Sequence, residues 1–251
     1  MDERTLKTLL ARVKKGDVTV AEAVKQLKDL PFAELGFATV DTHRSLRLGF
    51  PEVVLGQWKT LEHCAGIVGA LTARKQSVLV TRLQEEKGLA LLEAFPKGTW
   101  HAQARIFSLH NGRRPRAGRV AVVCAGTSDL PVADEAAVTA EAFGATVNRI
   151  NDVGVAGIHR LLKRRKELDD VHAVVTVAGM EGALASAIGG LVGVPVVAVP
   201  TSIGYGVSEH GFTALLAMMA TCASNVAVVN IDNGFGAGFY AALISRTRGR
   251  R

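Results

Sequence analysis

Cysteine is scarce in this chain and spaced for neither disulfides nor metal. The three thiols, Cys64, Cys124 and Cys222, are odd in number and far apart, with no CxxC pair among them. That excludes a disulfide framework and a zinc knuckle and predicts reduced thiols in a cytoplasmic protein. Aromatic residues are equally thin at 5%, whereas glycine reaches 26 residues. A core of Val, Ala, Leu and Ile cut by many glycine turns is the habit of α/β proteins. The opening MDERTLKTLL lacks the apolar run and cleavage site of a secretory leader. Residues 182–208 carry no charge, a length that spans a bilayer. However, Gly189-Gly190, Gly193, Pro195, Pro200 and Gly204 divide them into helix, turn, strand and turn, so no membrane segment is expected.

Charge is present, with a formal net of +7. It collects at Arg113–Arg119 and in the tail Arg246–Arg251, not in a recognition element. Such ends are solvated linkers and frays, so no nucleic-acid partner is expected. A phosphate-bearing small molecule fits the positive balance.

Periodicity then orders the chain. Helical spacing runs through Leu6, Leu9, Leu10 and Val13, and Thr19-Val-Ala-Glu22 is a capping box opening a second helix to about residue 30. Next come a strand at 52–55, a helix at 61–74, a strand at 77–83, a helix at 85–95 and a strand at 100–109. The stretch HNGRRPRAGR, residues 110–119, reads as a linker. The expected domains are therefore 1–112, a helical hairpin plus a small mixed α/β region, and 118–251.

From Val120 onward five βα units follow: strands at 120–124, 146–150, 173–177, 196–199 and 226–231, with helices at 131–143, 155–168, 182–191, 209–220 and from about 237. This rhythm predicts an α/β fold, a three-layer parallel sheet with helices on both faces and right-handed crossovers. Ligands of such sheets bind in the loops beyond the strand C-termini.

Those loops carry the chemistry. Gly126, Thr127 and Ser128 precede a helix and suit a phosphate or carboxylate. Asp129 beside them is placed to cap that helix, to hold a metal or to bond a ribose, and the residues alone leave the three roles open. Asn151-Asp152-Val153-Gly154 follows the second strand. Gly179-Met180-Glu181-Gly182 sets a carboxylate between two glycines, and Glu181 is the first choice for acid/base or metal work. Ser202, Gly204, Tyr205 and Gly206 form a loop open to a planar ligand, with His210 in the first turn beyond it. Asn233 and Gly234 belong to a glycine-rich turn suited to phosphate. Cys222, between a helix and a strand, reads either as a small buried hydrophobe or as a nucleophile. Cys64 and Cys124 read as packed thiols.

Three segments, VAVVCAGTSDLPVADEA, VAGMEGALASAIGGLVGVPVVAVPTSIGYG and ATCASNVAVVNIDNGFGAGF, together with DTHRSLRLGFPEVV and Lys59-Thr60 upstream, resemble the LarB family. LarB makes pyridinium-3,5-biscarboxylic acid mononucleotide for the nickel-pincer nucleotide cofactor. Its catalytic domain is similar to PurE, the aminoimidazole ribonucleotide carboxylase class. Where PurE carries a Ser-Ala-His-Arg loop, this chain has Asn151-Asp152-Val153-Gly154, so the proton-shuttling histidine of purine carboxylation is absent.

The resemblance implies carboxylation of nicotinic acid adenine dinucleotide at pyridinium C5 by CO2 or bicarbonate, then phosphoanhydride hydrolysis releasing AMP. It gives Cys222 a role as transient adduct former and Glu181 one as proton acceptor, at loop distance from the thiol on the binding edge. It implies that Arg44, Arg47 and Lys59 bind the phosphates, that Mg2+ or another divalent cation assists with Asp129 as a ligand, and that the chain forms a homo-oligomer, an octamer by analogy with PurE. A purine mutase of the PurE type and a non-catalytic nucleotide-binding module are the alternatives.

Overall fold

The computed structural model describes residues 3–27, 32–48, 50, 52–111 and 118–248. Most of the expected linker, the end of the second helix near residue 30 and the tail beyond Arg248 lie outside them. The chain divides into two compact units, one of residues 1–100 and 106–113, the other of 101–105 and 114–251.

The first unit opens with α1 (Glu3–Lys15) and α2 (Val20–Leu27). Their junction is the expected capping box: Glu22 N–H donates to Thr19 Oγ1 at 3.2 Å and Thr19 N–H to Glu22 Oε2 at 2.8 Å. Leu9, Val18 and Ala23 are buried between the two helices. A two-stranded ribbon, β1 (Phe32–Glu34) and β2 (Thr39–Asp41), and the short α3 (Arg44–Leu48) follow. Then come β3 (Val53–Leu55), α4 (Leu61–Ala73), β4 (Val78–Thr81), α5 (Glu85–Ala94), β5 (Thr99–His101) and β6 (Ile106–Leu109), whose strands form a sheet of order β3-β4-β6-β5. Strand β3 runs parallel to β4, and β6 runs antiparallel to β4. The single strand expected at 100–109 is in fact two, because the chain turns at 102–105 with Arg105 in the left-handed region (φ 54°).

The second unit contains β7 (Arg119–Cys124), α6 (Leu130–Ala142), β8 (Thr146–Ile150), α7 (Ile158–Lys163), β9 (Ala173–Ala178), α8 (Ala183–Leu191), β10 (Val196–Pro200), α9 (Phe212–Met219), β11 (Val226–Val228) and α10 (Gly234–Arg248). The sheet order is β11-β10-β9-β7-β8 and every pairing is parallel. The fold class expected from the βα rhythm is thus the fold present. Alternation sorts the strands' apolar residues: Ala121, Val123, Val174, Val196 and Ala198 join a core with Leu161, Leu184, Ala185, Ile188 and Met218 of α7, α8 and α9. The intervening Val120, Val122, Val175, Val177, Val197 and Val199 are equally buried, on the side where α6 and α10 pack.

The chain steps from β7 outward to β8, then back across β7 to β9. The order therefore reverses between β7 and β9, and the crevice at their C-terminal ends is where such sheets bind ligands. Two expected helices are shorter than their periodicity. Residues 155–168 break into a 3₁₀ turn, α7 and a second 3₁₀ turn. Residues 206–211 form an irregular turn in which Glu209 is extended (ψ 145°) and His210 left-handed (φ 62°), so His210 is not in a helical first turn. The uncharged stretch 182–208 resolves into α8, a turn, β10 and a loop, and none of the described helices is long and apolar enough to cross a membrane.

Candidate active site

At the switch point, the loop after β7 turns back on itself through Asp129. This carboxylate is buried, only 4% exposed. Its Oδ2 accepts from Gly126 N–H at 2.9 Å and its Oδ1 from Thr201 Oγ1 at 2.7 Å, across from β10. Gly179 N–H is also directed at it, from the loop after β9. Burial nevertheless pushes the carboxyl above the usual carboxylate range; the donors pull it down, and the nearby Asp232 adds to the rise. Of the three roles open in the sequence, the geometry shows the cap, since the bond from Gly126 N–H closes the 3₁₀ turn ahead of α6; the bond from Thr201 makes the same carboxylate a bridge between loops as well. Thr127 and Ser128 are exposed beside it.

The donor set does not fit a protein-held divalent cation at Asp129. Both oxygens face N–H or O–H donors, which repel a cation, and no group of three His, Cys, Asp or Glu among the described residues could hold one.

Backbone strain gathers on this same edge. Asp152, Met180 and Asp232 all have positive φ (57°, 51° and 54°), and each follows a strand C-terminus by a few residues. Left-handed non-glycine residues are uncommon and collect at functional sites. Met180 N–H donates to Ile203 O at 2.9 Å, locking the β9 loop to the β10 loop. Gly179 must be glycine there, because a Cβ would lie 2.1 Å from Ile203 O. Glu181 follows, exposed at the entry to α8. Ser202 is exposed with its N–H on Asp232 Oδ1 at 2.8 Å. Gly204 folds against Ser208, Gly206 stands in open space, and Tyr205 is 77% exposed. Asp152 projects outward and pairs with Arg160 at 2.7 Å.

Asn233 and Gly234 have a packing explanation. Asn233 Oδ1 accepts from Gly236 N–H at 2.8 Å, capping α10. A Cβ on Gly234 or Gly238 would lie 2.3 Å from Val132 O or 2.2 Å from Ala136 O. This glycine turn lets α10 lie directly against α6.

Cys222 does not share the edge with Glu181. It lies in the connection from α9 to β11, and in a parallel sheet a helix-to-strand connection reaches the strands' N-terminal ends. The loop is tied down by Thr221 and Ser186 hydroxyls at 2.8 Å and by Asn225 Nδ2 donating to Val192 O and Val194 O at 3.0 Å each. The thiol itself is exposed. Ser186 lies in α8, whose N-cap Gly182 follows Glu181, so the loop of the thiol rests on the helix that the carboxylate precedes while the carboxylate itself stands at the opposite strand ends. Cys64 and Cys124 are buried, as read. Burial pushes the Cys124 thiol up to about 11, and it donates to Gly126 O and Asn151 Oδ1 at 3.6 Å each.

In the first unit two of the three cations expected to meet phosphate are paired with carboxylates. Arg44 pairs with Glu52 at 3.2 Å and Arg47 with Asp41 at 2.6 Å. Half-buried Lys59 stands just before the N-cap Thr60 of α4, and its carbonyl accepts from Lys87 Nζ at 2.9 Å.

Two participants escaped sequence reasoning. Thr201 is fully buried and Asp232 is strained. A hydroxyl and a carboxylate directly after apolar strands were the available signal.

The family profile for the LarB/PurE-like N-terminal domain matches residues 32–111, and that for AIR carboxylase matches residues 119–250. The chain belongs to the LarB family. An uncharacterized protein of Methanocaldococcus jannaschii is 38% identical over 253 residues, covering 97% of this chain and 98% of its own. Membership carries a carboxylase-type activity, and in this LarB chain the PurE-like domain is the one whose switch point, strained loops and buried carboxylate have been described.

Proposed function

We propose that this LarB-family carboxylase acts on nicotinic acid adenine dinucleotide, adding CO2 at pyridinium C5 and hydrolysing the phosphoanhydride to give pyridinium-3,5-biscarboxylic acid mononucleotide and AMP. The observation that carries the reading is the exposed Cys222 thiol in its tethered loop, in a chain of the LarB family.

A pyridinium ring is electron-poor and does not attack CO2. Addition of the Cys222 thiolate at C4 gives a neutral dihydropyridine in which C5 is an enamine carbon. That carbon attacks CO2, leaving an iminium at N1–C6. Loss of the C5 proton to Glu181 restores the enamine, and the nitrogen lone pair then expels the thiolate and regenerates the aromatic ring. The net change replaces C5–H by a carboxylate and delivers one proton to the base, with no oxidant required. The subsequent hydrolysis consumes one water. A divalent ion assisting it would have to be held largely by the substrate's own phosphates.

Self-assembly belongs to the same reading. Phe212, Leu216 and Met219 are 61%, 64% and 66% exposed at helical spacing on α9, an apolar stripe suited to a second copy of the chain. Phosphate binding by Arg44, Arg47 and Lys59 is tested by a rise in KM on neutralising each.

The deciding experiment supplies the dinucleotide, labelled bicarbonate and Mg2+ to the purified protein and follows products by mass. A gain of one carboxylate together with AMP is expected. Turnover of carboxyaminoimidazole ribonucleotide instead would make the chain a purine mutase. Dinucleotide binding without any product would reduce it to a binding module. The pairing of Asp152 with Arg160, on the loop where PurE carries its histidine, weighs against the purine reaction.

A further inference from the structure

The loop after β10 is gripped from two sides by carboxylates that belong to other strands. Asp129, from the β7 loop, takes the Thr201 hydroxyl at 2.7 Å, and Asp232, beyond β11, takes the Ser202 N–H at 2.8 Å. Asp232 N–H in turn donates to Pro200 O at 2.9 Å, and Thr201 N–H to Ala178 O at 3.0 Å. Three consecutive residues, Pro200, Thr201 and Ser202, are therefore fixed by the β7, β9 and β11 connections at once. One residue further, Ile203 O receives Met180 N–H at 2.9 Å, the bond that sets the backbone leading into Glu181. Only past this point does the loop leave the body of the protein, with Tyr205 and Val207 77% and 91% exposed.

A helix cap accounts for one oxygen of Asp129 only: its Oδ2 closes the 3₁₀ turn ahead of α6 with Gly126 N–H, while its Oδ1 reaches Thr201 on another strand's loop, as Asp232 Oδ1 reaches Ser202. Burying Asp129 is costly unless its charge is matched by good donors, and the donors it has are the loop residues themselves. We infer that Asp129 and Asp232 form a two-carboxylate clamp on Thr201-Ser202 that positions Glu181 through the Ile203–Met180 bond, so that both aspartates are positioning residues for the acid/base carboxylate. This rests on the reading of Glu181 as the proton acceptor. The mechanical part of the inference stands apart from that reading.

The test uses the full chain and the variants Asp232→Asn, Asp129→Asn, Thr201→Val and Thr201→Ser. Amide hydrogen exchange, which needs no substrate, is expected to rise at least tenfold in residues 179–182 as well as 200–204 for Asp232→Asn and Thr201→Val. Strand β7 and helix α6 should stay at wild-type rates. Thr201→Ser keeps the hydroxyl and should restore wild-type exchange. With active protein, the same two variants should lower kcat at least tenfold while KM changes less than threefold, the pattern of a misplaced group and not of lost binding.

Faster exchange confined to 200–204, with 179–182 unchanged, overturns the clamp, as does wild-type exchange throughout. Exchange that spreads over the whole sheet assigns the aspartates to global stability and also overturns it. Asp129→Asn disturbs a buried site and is expected to lower the folding yield; Asp232→Asn, at a half-buried position, carries the test in that case. If wild-type protein does not carboxylate the dinucleotide, the functional reading fails while the exchange result still decides the clamp.

Discussion

The two edges of the parallel sheet are built on opposite principles. At the strand C-termini, loops from four strands are cross-bonded through Asp129, Thr201, Asp232 and Met180, with strained backbone at three positions. Toward the N-termini, the connection carrying Cys222 is tied at its two ends, by Thr221 and Asn225, and presents its thiol to solvent. One edge holds a carboxylate in place; the other leaves a thiol accessible. A proton acceptor must be aimed within hydrogen-bond reach of its target, whereas a thiol that forms and breaks a covalent bond must let the ring arrive and depart.

The largest effect expected from this contrast is chemical. Cys222→Ala should reduce carboxylation at least a thousandfold, while urea unfolding shifts by less than about 0.5 kcal/mol because the side chain is exposed. Retention of a tenth of the wild-type rate would remove the thiol from the mechanism. In native protein, an alkylating reagent should label Cys222 well before Cys64 or Cys124, which are buried.

The clamped edge should answer to packing. Gly179→Ala forces a methyl group to 2.1 Å from Ile203 O and 2.7 Å from Thr201 Oγ1. The loops must part, at a cost of about 2–4 kcal/mol measured by chemical denaturation. A shift below about 1 kcal/mol would mean that this edge yields as easily as the other.

An alkaline titration sharpens the same point. Cys124 is held as a thiol up to about 11, first by burial. In the unfolded chain it ionises near its ordinary value, so between about pH 9 and 11 the unfolded state has lost a proton that the folded state keeps. Stability must therefore fall as pH rises through that window, by up to about 2–3 kcal/mol at the linkage rate of about 1.4 kcal/mol per unit. Cys124→Ala should flatten the fall. A fall of unchanged depth in that variant would mean that the buried thiol is not the group that titrates.

The parallel sheet was legible because buried strands and the βα rhythm are local patterns, and the glycines at 179 and 204 marked close approaches. What those approaches were to was not legible. Asp129 pairs with Thr201 across 72 residues, and nothing near either one announces the other. The expectation that Cys222 lies at loop distance from Glu181 on the binding edge failed for a related reason: β11 runs between Cys222 and the turn at Asp232–Gly234 and carries them to opposite ends. The glycines at 234 and 238 looked like a phosphate cradle, since local spacing does not distinguish room for a ligand from room for a neighbouring helix. The ribbon β1-β2 was missed because three-residue strands leave almost no alternation to read.

The smallest expected effect discriminates most finely between the β8 loop and the β9 loop as sources of the acid/base group. Asp152 and Glu181 both follow a strand C-terminus and both are exposed. Asp152, however, is turned to Arg160 at 2.7 Å, while Glu181 follows Met180, whose backbone is locked to the β10 loop. Asp152→Asn keeps a residue that tolerates the left-handed backbone at this position and removes only a surface ion pair, worth about 0–1 kcal/mol. Stability should change by no more than that, and kcat by less than threefold, against a loss of at least a hundredfold for Glu181→Gln. If the two variants exchanged these effects, proton transfer would belong to the loop where PurE keeps its histidine, and the chemistry would have moved one strand across the switch point.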